Sequence, residues 1–150
     1  MIMPAAHALM QAAEDIPSAL SGLTTEQLWA KPGGAASVGY HVRHITGSID
    51  RLLTYARGEM LRDAQVAALE TEGQRDEGGA TQFARAAVEA IACAIEVMRS
   101  TPPALYLEPR EVGRRRLPTT VIGLLVHIAE HTQRHTGQIV TTAKVARSIA

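Results

Sequence analysis

Cysteine is nearly missing from this chain. Cys93 is the only one in 150 residues, so an internal disulfide and a thiolate-based zinc site are both excluded. Aromatic residues make up only 3%, and a core must be assembled mainly from Ala, Val, Leu and Ile. Such a composition favours helices over a sheet. Neither sign of charge is in excess, since 15 Lys and Arg balance 15 Asp and Glu. That removes the electrostatic case for a nucleic acid or an anionic membrane as partner. No apolar run approaches the ~18 residues that would span a bilayer. The opening stretch MIMPAAHALMQAAEDIPSAL lacks a basic region ahead of its apolar residues and carries Glu14 and Asp15 within them. It reads as an amphipathic helix and not as a signal peptide. The expectation is one cytoplasmic domain over residues 1–150.

What is present is helical periodicity. Leu9, Ala12, Ile16 and Leu20 mark a first helix over about 4–22, with Pro17 inside it as a kink or boundary and Gly22 as its stop. Thr24 and Gln27 suggest a capped turn carrying Leu28 and Trp29, with Trp29 plugging one end of a bundle. Ser37 caps a second helix over about 38–57, with Val38, Val42, Ile45, Ile49 and Leu52 as its stripe. Residues 61–80 are polar and Gly-rich and form a connection with one short helical piece. A third helix covers about 80–100, with Phe83, Ala87, Ile91, Ile95 and Met98 facing inward. Pro102 and Pro103 break the chain, residues 103–117 form an extended crossover, and a fourth helix covers about 120–146. The predicted fold is all-α, a four-helix up-and-down bundle with long connections between helices two and three and before helix four.

Five of the six histidines fall in two short windows. His127, His131 and His135 recur every four residues in LLVHIAEHTQRHTGQI, and His41 and His44 lie in SVGYHVRHITGSIDRLL. Residues four apart share one helix face, about 6 Å apart along the axis. On a wheel with Leu124 at zero, His131 and His135 fall about 20° to either side, in the middle of the apolar stripe. His127 lies on its flank, and about 12 Å along the axis from His135, too far for all three to share one ion. A buried imidazole needs a hydrogen-bond partner or a metal, and neutral imidazole is a ligand for zinc, nickel, iron and copper. In helix two the wheel slightly favours His41 over His44 without excluding either. HExxH is absent, because Ile128 and Ala129 follow His127, and the metalloprotease reading loses its motif.

At LTTEQLWAKPGGAASVGYHVRHITGSIDRLLTYARGE and HIAEHTQRHTGQI the chain resembles the DinB-like (DinB/YfiT-like) family, over nearly its whole length. The family pattern is a histidine in helix two followed far downstream by HxxxH running into Gly-Gln. His44 takes the first place, and His131 and His135 take the others ahead of Gly137-Gln138. The resemblance implies a helical bundle in which these three histidines hold one divalent ion (Zn, Ni, Fe or Mn), and often a homodimer. Some relatives are transferases or isomerases that use a low-molecular-weight thiol. In iron-dependent sulfoxide-forming relatives a Glu stands where this chain has Gly137, which argues against that branch.

Other residues have bland and functional readings side by side. His41, His127 and Gln138 are candidates for groups around the metal or at the pocket rim. Arg114, Arg115 and Arg116 can grip a carboxylate or thiol cofactor, although such a run is more often a solvated loop. Cys93 reads as a buried structural thiol. No carboxylate stands out as general acid or base, since Glu130 points away from the stripe. The expected function is a metal-dependent enzyme acting on a small molecule, by thiol-dependent transfer, isomerisation or hydrolysis. The alternative is a non-catalytic metal- or ligand-binding dimer.

Overall fold

The computed structural model describes residues 2–149. Its elements are α1 (Met3–Leu20), α2 (Thr25–Trp29), α3 (Val38–Ala56), α4 (Asp63–Thr71), α5 (Ala80–Ser100), β1 (Pro109–Val112), β2 (Leu117–Thr120) and α6 (Val121–Ile149). The fold is therefore mainly helical, with one small antiparallel hairpin. No described helix is long and apolar enough to cross a membrane.

Local chemistry sets the helix ends. The Thr24 hydroxyl accepts from the Gln27 N–H at 3.2 Å and the Gln27 side chain accepts from the Thr24 N–H at 3.1 Å, a reciprocal cap that starts α2. Ser37 accepts from the Tyr40 N–H at 3.1 Å and starts α3. Pro17 does not end α1, which continues to Leu20. Buried residues then recur at helical spacing: Leu9, Ala12, Ile16 and Leu20 on α1, Val42, Ile45 and Ile49 on α3, and Ala87, Ile91, Ala94 and Met98 on α5. Ala94, not Ile95, holds the inner position on α5, and Ile95 is only partly buried. Trp29 packs edge-on to Phe83 at 5.8 Å between ring centres and lies so close to Gly39 that a Cβ there would sit 2.9 Å from its ring.

The four long helices pack pairwise. α1 and α3 each lie against both α5 and α6. Gln133 of α6 donates to the Ala8 carbonyl, and Arg147 donates to those of Ala19 and Ser21, so α6 runs parallel to α1. His41 meets His135 while His44 meets His131, so α3 runs antiparallel to α6. Arg43 near the start of α3 lies over Phe83 near the start of α5, and Thr46 and Gly47, one turn further on, line a common pocket with Ala86. α3 and α5 therefore run the same way. This departs from the strict up-and-down alternation expected from the sequence. The reason is the connection from Arg57 to Gly79, which is long enough to return the chain to the end where it began.

That connection contains α4, which docks on α3 through the buried Gln65. Its amide donates to Asp50 at 2.8 Å and to the Thr54 hydroxyl at 2.9 Å. The predicted extended crossover before α6 is instead the β1–β2 hairpin, with Pro109 opposite Thr120 and Val112 opposite Leu117. Its turn uses positive φ at Gly113 (73°) and Arg116 (49°). Arg110 of β1 donates to the Ala56 carbonyl at 2.8 Å and ties the hairpin to the end of α3.

Candidate metal centre

α3 and α6 bring the histidines together. One ring nitrogen from each of His44, His131 and His135 lies within 4.8 Å of the others. His44 Nε2 and His131 Nε2 are 2.8 Å apart, and the ring centres of His44 and His135 are 4.5 Å apart. His131 and His135 are half-buried, and Thr132 and Thr136 take the deepest positions beside them. The inward face of α6 is thus rotated from the wheel estimate. The rings sit at the edge of the core, facing α3 and open space, where a bound ion could be reached by a small molecule.

Each His44 ring nitrogen has a defined partner. Its Nδ1 lies 2.7 Å from Glu72 Oε2, and the other Glu72 oxygen accepts from Arg51 at 2.8 Å. A carboxylate takes only an N–H, so Nδ1 carries a proton, which leaves Nε2 as the nitrogen that can offer a lone pair to an ion. Burial alone would push the Glu72 carboxyl up, but the bonds from His44 and Arg51 outweigh it and hold the group below its usual value. Tyr40 stacks on the His44 ring at 5.5 Å, with 17° between planes.

Burial is the main reason that His131 and His135 hold their pKa values down at about 4, with the proximity of His44 adding to it. Both rings are neutral at pH 7, the form that ligates metals. Bonds of about 2.0–2.1 Å to one ion put adjacent nitrogens about 2.9–3.3 Å apart, depending on coordination number. The 2.8 Å approach of His44 to His131 is close to that range. The donor set, its protonation and its spacing therefore fit a divalent ion.

The remaining candidates separate. His41 is buried, and its Nδ1 lies 2.9 Å from His135 Nδ1, on the side of that ring away from Nε2. His127 is exposed, its ring centre 5.5 Å from that of His131 and its Nδ1 3.8 Å from Glu130. Gln138 is exposed and makes no hydrogen bond to these rings among the described residues. Cys93, expected to be buried, is exposed on α5.

Glu72 and Arg51 were not singled out by sequence reasoning. Their one signal was Gly47, a glycine inside a strongly periodic helix, which usually has a packing reason. A Cβ at Gly47 would lie 2.7 Å from both the Arg51 guanidinium and the Glu72 carboxylate. The glycine makes room for the pair beside α3.

A cavity of about 1100 Å³ opens beside the cluster. His44, His127 and His131 line one side, residues of α4 and the connection before it line another, and Arg110, Arg114 and Arg116 of the hairpin line a third. Fold and site together describe a mainly helical protein with a cluster of three histidines, two of which, His44 and His131, line an open cavity. The family model described as the DinB superfamily matches residues 8–139, and the chain belongs to that superfamily. No curated protein matches the chain.

Proposed function

We propose that the chain is a four-helix bundle that holds one divalent metal ion through His44, His131 and His135 and acts as a metal-dependent enzyme on a small molecule. The observation that carries this reading is the convergence of three histidine ring nitrogens, within 4.8 Å of one another, from two separate helices. Three protein ligands with an open face suit a catalytic site better than a closed structural one. Zinc, nickel, iron and manganese all accept such a donor set.

A divalent ion held there would supply Lewis acidity, making a coordinated water or thiol a nucleophile at neutral pH. The chain's own residues orient and bind. Glu72 fixes the tautomer of His44, Arg51 fixes Glu72, and His41 braces His135. The cavity walls position the substrate. Transfer or isomerisation with a low-molecular-weight thiol, or hydrolysis, are the reaction types that this arrangement supports. A homodimer remains part of the proposal on family resemblance alone.

One observation favours a second reading, a non-catalytic metal- or ligand-binding dimer. Both oxygens of the one buried carboxylate beside the cluster are already committed to His44 and Arg51, so no carboxylate there is free to move a proton. The test begins with elemental analysis of protein purified without a His tag. About one divalent ion per chain is expected, with loss in His44→Ala, His131→Ala and His135→Ala. Full metal content in His44→Ala refutes the ligand set. Turnover of thiol conjugates that disappears on chelation selects the enzyme over the binding module.

A further inference from the structure

The cavity beside the histidines has an unusual charge balance. Six charged side chains line it: Arg51, Glu59, Arg110, Glu111, Arg114 and Arg116. Five of them are paired. Arg51 binds Glu72 at 2.8 Å, Glu59 binds Arg57 at 3.0 Å, Arg110 binds Glu108 at 2.9 Å, and Arg116 binds Glu111 at 2.5 Å. Arg114 alone has no ion-pair or hydrogen-bond partner among the described residues. It lies in the hairpin turn, on the wall formed by the hairpin. The histidine cluster contributes no negative charge either, because metal-bound imidazole is neutral. The nearest carboxylate, Glu72, is already matched by Arg51. An ion bound by this chain would keep its full double charge, facing a cavity whose one unmatched side chain is also cationic. The lining also includes the apolar side chains of Leu52, Leu61, Val66 and Leu69.

We infer that the cavity takes an anionic amphiphile: a small molecule with a metal-binding donor at one end, an apolar middle against Leu52, Leu61, Val66 and Leu69, and a carboxylate that pairs with Arg114. This rests on the metal reading above and adds the substrate's charge and polarity to it. Arg114 is a specificity residue in this scheme. Its planar guanidinium offers a carboxylate two parallel N–H donors.

The test uses zinc-loaded protein and the monohydroxamates of succinic, adipic and suberic acids, each against its methyl ester. Hydroxamate supplies the metal donor, and the pair differs only in the distal charge. Affinities are read by calorimetry. For at least one chain length the acid should bind about fivefold more tightly than the ester, the upper range for a solvent-exposed ion pair. The preference should shrink in about 0.5 M NaCl, vanish in Arg114→Ala and persist in Arg115→Ala, whose side chain does not line the cavity. Both substitutions are exposed in a turn. Equal binding of acid and ester throughout the series, or a preference that survives Arg114→Ala, overturns the inference. If zinc binds and the esters bind but the acids gain nothing, the inference alone fails. If zinc binding does not depend on His44, the metal reading fails and takes the inference with it.

Discussion

Replacing Glu72 by Gln separates two jobs that one side chain performs. Glu72 is 5% exposed, with one oxygen 2.7 Å from His44 Nδ1 and the other 2.8 Å from Arg51. An amide of the same shape offers one acceptor and one donor. If its oxygen keeps the His44 N–H, its NH2 faces the Arg51 guanidinium, donor against donor. If it turns over, His44 loses its acceptor and its tautomer is no longer fixed. In either orientation Arg51, itself 8% exposed, is left without a counter-charge. Removing one partner of such a buried pair costs about 3 kcal/mol, the lower end of the usual range because the cavity admits water to this wall. Loss of the orienting carboxylate lowers metal affinity about 10- to 100-fold. The two effects come apart in the double variant Glu72→Gln with Arg51→Met. Stability should recover most of its loss, since no unpaired charge remains, while zinc affinity stays low. Urea unfolding of the metal-free protein reads the first quantity, and competition with a chromophoric chelator reads the second. Zinc affinity within twofold of the parent in Glu72→Gln would refute the orienting role. A double variant no more stable than Glu72→Gln would refute the charge argument.

Two further outcomes follow from the same geometry. The metal-free protein should lose stability on acidification from about pH 6.5, the ordinary histidine value, down to about 4, where His131 and His135 titrate in the folded state. The sign follows because the unfolded chain binds more protons than the folded one throughout that window; thermal melts across it check the slope, and a flat profile contradicts neutral rings. His41→Ala should weaken zinc binding about tenfold while leaving one ion per chain at saturation, because His41 braces His135 from behind. His127→Ala, on an exposed ring, should leave zinc affinity unchanged in the same titration, and a reversed order of the two effects would discard these roles.

The long helices were legible because each buries one continuous stripe, and a period of 3.6 survives in the sequence whatever lies opposite. Val38, Val42, Ile45 and Ile49 marked α3 in this way, and Ser37 marked its start. Helix direction was not legible, since the Arg57–Gly79 connection is long enough for α5 to run either way. The hairpin escaped because its strands are four residues each and none of their residues is fully buried, so neither PREV nor LPTT carries an apolar alternation in its sequence. At the site, HxxxH spacing selected His131 and His135, and family resemblance selected His44 over His41. The wheel could not make that choice because α3 faces α6 on one side and α4 on another, and His41 and His44 both contact α6 histidines. Glu72 was one of several acids in a polar stretch, and only the docking of α4 brings it to His44.

The parts around the cluster differ in how they are anchored. The three nitrogens stand on α3 and α6, long helices held by the core. The carboxylate behind His44 stands just past α4, on a strap seated by Gln65 and by Arg51. Coupling between two such sites is reciprocal. Whatever presses the strap home tightens the grip on a cation, and a captured cation must press the strap home by the same amount. Protease nicking between residues 57 and 79, slowed by zinc and quickened by its removal, would make this coupling visible without any knowledge of the reaction.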